Sequence, residues 1–189
     1  MPEEEWTLTA TDAIWRERIA AQQVPLAKAR IIFLYVDALI AGGRLAEAEP
    51  LLDHLIDEYR NFRLFRKRSH LEHKRGRLAD ALFALEEERS LLPFDAHAER
   101  AANYHWQAVC LFETNRDRAR ESVWLALKHS GLGTGLTDAS CFELLGDLER
   151  ETDAHAAAAH YTKALLILRA ADEWDHVASI EAKLRTLAT

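Results

Sequence analysis

Apolar residues recur along this chain at the spacing of one helix face, in blocks separated by glycine, proline or short polar runs. A first helix is predicted over residues 12 to 22, capped by Thr9 or Thr11, with Trp15 and Ile19 one turn apart on one face. Pro25 suits the first turn of a second helix, 26 to 41, where its missing N–H is not needed. In that helix Ile31, Ile32, Phe33, Leu34, Tyr35, Val36, Leu39 and Ile40 cover nearly the whole circumference, which predicts cover on two sides. Gly42 and Gly43 stop it. The next helix, 45 to 59, turns Leu52, Leu55 and Ile56 inward and Glu47, Glu49, Asp53, Asp57 and Glu58 to water. Helices at 62 to 75 and 78 to 92 are bounded by Gly76 and Pro93. Those at 96 to 113 and 117 to 129 follow Asp95 as a cap and are joined by Thr114-Asn115-Arg116. After the loop Ser130 to Leu136 come helices at 138 to 150, 153 to 171 and 174 to 187. The last carries Val177, Ile180, Leu184 and Leu187 on one stripe, with Lys183 off it. No segment alternates as a strand does. The expectation is ten helices and no sheet.

One hexapeptide occurs twice, Gly43-Arg44-Leu45-Ala46-Glu47-Ala48 and Gly76-Arg77-Leu78-Ala79-Asp80-Ala81, offset by 33 residues with a helix on each side. A period of this size marks a helical array in which each pair of helices buries its apolar face against the next. With the small residues Ala48 and Ala81 where paired helices approach, and Pro93 closing the second copy, the pattern resembles the tetratricopeptide repeat. Leu145-Gly146 and Tyr161-Thr162-Lys163-Ala164-Leu165 extend the resemblance to a fourth helix pair. The third matches weakly, with Asn115 for the turn glycine and Arg120 in place of the small alanine, while Tyr104, Leu111 and Trp124 fill bulky sites. The resemblance covers residues 26 to 171. It implies an all-α, right-handed α-solenoid of about four hairpins, 26–60, 61–93, 96–130 and 138–171. Capping helices at 12–22 and 174–187 complete a single domain, 12–189, behind an acidic lead, 1–11.

Composition narrows the function. The 189 residues carry a formal net charge of -7, which opposes binding to nucleic acid or anionic membrane by the chain as a whole. No basic start with an apolar core marks a secretory signal, and no apolar run is long enough to span a membrane, so a cytoplasmic place is expected. Cys110 and Cys141 lack metal-ligand spacing and sit among helical apolar residues, as buried thiols do. Neither His70 with His73 nor His155 with His160 forms a zinc motif, and the Gly131 to Gly135 stretch lacks the strand and the Gly-Lys-Ser/Thr ending of a phosphate loop. No catalytic constellation can be placed, so no enzyme, no metal and no cofactor is expected.

The sharpest feature is electrostatic. Between Arg60 and Arg77 eight cations face one anion, Glu72, a local balance of +7 in 18 residues. In the tetratricopeptide family the first helix of each pair lines a concave groove, so by resemblance Arg63, Arg66, Lys67, His70 and Lys74 would face a ligand, with His105, Trp106 and Phe112 on the next such helix. The Asn residues of the family's carboxylate clamp are missing, and the preceding helix offers Phe33 and Asp37 instead, so the clamp is not carried over. Guanidinium groups in a shielded groove bind carboxylates or phosphates bidentately. Two uses of the basic helix stay open: it binds an acidic partner, or it pairs internally with Glu47, Glu49, Glu86, Glu87 and Glu88 on flanking helices. Arg68 and Glu72 themselves are placed for an i,i+4 pair. Trp106 and Phe112 serve either as an apolar anchor site or as core. The expected function is a non-catalytic protein-interaction scaffold, as a chaperone, assembly factor or regulator, that binds an acidic or amphipathic peptide. The alternative is a nucleic-acid binder using the helix 60–77, which the overall acidity and the lack of stacking aromatics argue against. A homodimer is compatible with the near-fully apolar second helix.

Overall fold

The computed structural model describes residues 12–131 and 135–187. The acidic lead at 1–11, with the Thr9 or Thr11 cap, and the middle of the loop at 132–134 lie outside the described residues. The fold class is all-α, a helical repeat with ten helices and no strand among the described residues. Two compact units divide the chain, Met1–Leu91 and Leu92–Thr189.

The first unit holds α1 (Asp12–Ala21), α2 (Pro25–Ala41), α3 (Leu45–Tyr59), α4 (Phe62–Lys74) and α5 (Leu78–Leu91), packed in sequential order, α1 on α2, α2 on α3, α3 on α4 and α4 on α5. The cover expected for α2 comes from α1. Trp15, 1% exposed, stacks on Tyr35 at 5.7 Å, and Asp12 receives two hydrogen bonds from Arg44 at 2.6 and 2.5 Å. Those bonds hold the Asp12 carboxyl below its usual range. Ile32, Val36, Leu39, Leu52, Leu55 and Leu71 form the core around this contact.

The repeated hexapeptide has a conformational cause. Gly43 and Gly76 take φ of +74° and +73°, the left-handed region that glycine enters without a Cβ penalty. In both turns the next amide closes back five residues, Arg44 N–H to the Leu39 carbonyl at 2.8 Å and Arg77 N–H to the Glu72 carbonyl at 2.9 Å. The same closure occurs between α9 (Ala154–Ala170) and α10 (Trp174–Leu187), where Glu173 N–H reaches the Leu168 carbonyl at 3.0 Å and Asp172 supplies the positive φ, 59°.

The second unit contains α6 (His97–Leu111), α7 (Arg116–Ser130), α8 (Leu136–Glu149), α9 and α10, again with sequential neighbours packed. Asp95 is not a side-chain cap: Ala96 stands at the N-cap of α6 with no side-chain bond, and the Asp95 carbonyl accepts from His97 N–H. Asn115 caps α7 and Asp153 caps α9, each accepting from a first-turn amide. The fourth residue of every trailing helix is a fully buried alanine, Ala48, Ala81, Ala119 and Ala157. In the third pair the small residue is therefore Ala119. Arg120, one place on, bonds Glu149 at 2.9 Å and Asp117 at 3.0 Å. Trp124 is 46% exposed and fills no core site.

Candidate functional site

Asn61 starts α4 by accepting hydrogen bonds from Arg63 N–H at 3.0 Å and Leu64 N–H at 3.4 Å. The helix buries Leu64, Phe65, Ser69, Leu71 and Glu72. At 3.6 residues per turn the opposite stripe must carry Arg63, Arg66, Lys67, His70 and Lys74. The five candidates of the basic helix thus share one face, as their spacing predicts.

Most of the charge on this helix is answered within the unit. Arg66 binds Glu88 of α5, its Nε at 2.8 Å from the carboxylate, and Glu88 is 0% exposed. Lys67 binds Asp37 of α2, with its ammonium 4.6 Å from the centre of the Phe33 ring. On the flank, Arg75 makes two bonds to Glu49 of α3 at 2.7 and 2.8 Å, and Arg68 contacts Asp53 and, at 3.3 Å, Glu72. Glu49 and Asp53 therefore do not simply face water, and the arginine holds the Glu49 carboxyl below its usual range. Arg60 pairs with Glu87 at 2.7 Å, and Arg77 lies 3.6 Å from Glu72. Among the described residues, Arg63 and Lys74 have no carboxylate partner; both are exposed, and the Arg63 guanidinium lies 5.7 Å from the centre of the Phe62 ring. The stripe is a mixed surface, with a cation at each end and neutralised groups between them.

His70 supplies no charge at neutral pH. Burial, and then the cations Lys67, Arg66, His73 and Lys74, lower its pKa to about 4. Because the unfolded chain has a histidine pKa near ~6.5, it takes up a proton as pH falls below that value while the folded chain does not. Stability is therefore full above that pH and falls as pH drops toward the folded value. Between pH 7 and 5 the His70 share of the loss should be about 2 kcal/mol, from ~1.4 kcal/mol per pH unit. Urea unfolding at the two pH values checks this. His70→Gln should unfold with a smaller pH dependence, keeping the remainder that arises because burial also lowers His105, His129 and His160.

His105 and Trp106 lie on α6, in the second unit. Their rings meet edge-on at 6.2 Å, both side chains are half-buried, and burial lowers the His105 pKa against the opposing pull of Glu143. In this unit Lys183 was expected on the wet face of the last helix. Its ammonium instead donates to Glu143 at 2.7 Å and to Asp147 at 2.7 and 2.9 Å, while the Tyr161 hydroxyl donates to Asp147 at 2.7 Å. The only hint in the sequence was a lysine just beside an apolar stripe, which a solvated lysine would share. Lys67 on Asp37 and Lys183 on Glu143 and Asp147 share a pattern: a lysine neutralises carboxylates on the helix two before its own.

Both thiols are unsuited to chemistry. Burial pushes Cys110 up to about 11 and Cys141 up to about 12. Among the described residues no group of three or more His, Cys, Asp or Glu is arranged to hold a metal ion, and no helix is long and apolar enough to cross a membrane.

No family model and no curated protein matches this chain. Solved structures do. BtubC (BKLC) from P. vanneervenii has a TM-score of 0.68 at 15% identity, over 100% of this chain and 92% of that one. A MamA RS-1 ArsTM double mutant has a TM-score of 0.63 at 18% identity, over 85% of each chain. MamA from residue 41 to its end, from Desulfovibrio magneticus RS-1, has a TM-score of 0.58 at 18% identity, over 85% of this chain and 97% of that one. At these identities the likeness is one of fold, the all-α helical repeat.

Proposed function

We propose that this chain is a non-catalytic, cytoplasmic protein-interaction scaffold of the tetratricopeptide kind. Its α4 stripe would hold an acidic or amphipathic segment of a partner, as a chaperone, assembly factor or regulator does. The observation that carries this reading is the pair Arg63 and Lys74, exposed at the two ends of one helix face and without carboxylate partners among the described residues. Arg66 and Lys67 support the stripe from within, held by Glu88 and Asp37. His70 contributes no charge at neutral pH.

The same geometry disfavours the nucleic-acid alternative. Tracking a phosphate backbone takes many free cations, and six of the eight in this stretch already contact carboxylates. Nor do the local aromatics offer open faces for bases, since Phe65 is buried and Phe62 lies beneath Arg63.

The test is capture of partners on immobilised wild type and on Arg63→Glu/Lys74→Glu. Both positions are exposed, so circular dichroism should show an intact fold. Proteins held by wild type and lost from the variant support the reading, and recovery of the same set on both rejects it. Anisotropy with random oligonucleotides at two salt concentrations addresses the alternative, which requires a steep fall in affinity with salt.

A further inference from the structure

We infer that the α4 stripe selects a helical partner segment with carboxylates eleven residues apart, flanking two apolar positions. This rests on the reading of the stripe given above and adds a register to it.

Arg63, Lys67, His70 and Lys74 follow one another at intervals of four, three and four residues, one position per turn along a single face. At 1.5 Å per residue, Arg63 and Lys74 project from points about 16.5 Å apart along the helix axis. The positions between them carry no net charge: Lys67 is neutralised by Asp37 over the Phe33 ring, and His70 is uncharged at pH 7. Along the stripe a partner meets a cation, a neutralised pair on an aromatic ring, a neutral imidazole and a second cation.

A second α-helix laid along α4 repeats those intervals without adjustment, because both helices have the same rise. Its complement is an acid, an apolar residue four places on, another three further, and an acid four beyond that. The four-three-four spacing is symmetric, so either chain direction satisfies it. An extended segment matches less well. At about 3.3 Å per residue, five residues give the span but put the two acids on opposite faces, and four or six residues miss it by about 3 Å. Long arginine and lysine side chains can absorb that error only by bending away from their straight projection, so the helical match is the less strained one. The net charge of -7 makes the match matter more, since an acidic partner is repelled by the chain as a whole and must be held locally.

Fluorescence anisotropy with labelled alanine-rich peptides tests the register. The first peptide carries Glu at positions eleven apart with Leu at the two intermediate sites. The second has the same composition with the Glu residues six apart, and the third is the first with a central proline. Wild-type protein should bind the first about tenfold more tightly than either of the others, and Arg63→Ala/Lys74→Ala should abolish that preference. Equal binding of the first two peptides, with both lost in the variant, overturns the register and leaves the acidic-segment reading standing. Binding that the variant does not weaken removes α4 as the site and overturns both. Failure of all three peptides to bind overturns the register, and the capture experiment then judges the broader reading alone.

Discussion

Gly146→Ala should cost about 3 kcal/mol and lower the melting temperature by roughly 10 °C, although alanine is the better helix former by about 1 kcal/mol. Space decides the sign. A Cβ at Gly146 would lie 2.4, 2.6 and 2.8 Å from three atoms of the Tyr161 ring. The ring cannot swing aside cheaply. Tyr161 is fully buried, its hydroxyl is bonded to Asp147 at 2.7 Å, and Lys183 sits 5.8 Å from its ring centre. Relief of the clash therefore pulls α8 from α9 or breaks the Asp147 bond, and hydrogen bonds to charged groups contribute about 1.5–3 kcal/mol. The contact can be isolated by a double-mutant cycle under thermal and urea unfolding. In a Tyr161→Leu background, Gly146→Ala should be close to neutral, because the Cβ then meets a flexible aliphatic chain. A full loss that persists in that background would mean that backbone, not the ring, sets the limit at Gly146.

Features set by local backbone chemistry were legible in the sequence, and features set by a choice among partners were not. Gly43 and Gly76 announced their turns because a residue at φ near +74° is usually glycine. The equivalent turn at Asp172 stayed hidden, since aspartate enters the left-handed region less often and has other uses in loops. Arg120 was assigned the place of the small alanine by counting from the turn, whereas Ala119 holds it by counting from the helix start. The five α4 candidates fell on one face because helical periodicity alone dictates that. Their partners could not be counted off in the same way. Glu86, Glu87 and Glu88 are consecutive, and only the packing of α5 on α4 buries the last of them against Arg66 while leaving Glu87 to Arg60. Lys183 was misread for the same reason, because nothing in its own helix reveals that α8 brings two carboxylates to it.

Arg66→Ala should destabilise the protein by about 2–3 kcal/mol, below the ~3–5 kcal/mol of a fully buried pair because the Arg66 side chain is 25% exposed. Glu88 is fully buried and would lose the guanidinium, while the 25% exposure of the Arg66 side chain lets some water into the space it leaves. Lys67→Ala, on the same stripe, should cost no more than about 1 kcal/mol, because Asp37 is 31% exposed and rehydrates. Urea midpoints of the two variants give the contrast directly. Replacing both members together, as Arg66→Leu/Glu88→Leu, should recover most of the loss, since an apolar pair of similar volume satisfies a buried site as well as ions do. The contrast governs how binding to this surface is read. Charge reversal at Arg66 sets a second carboxylate against Glu88, so lost binding in such a variant reports a damaged α4–α5 contact and not a missing ligand contact. Arg63 and Lys74 are free of that ambiguity, which is why the proposed site is tested through them. A cost for Arg66→Ala below about 1 kcal/mol would reverse the assignment, because an arginine so weakly held by Glu88 is available to a partner.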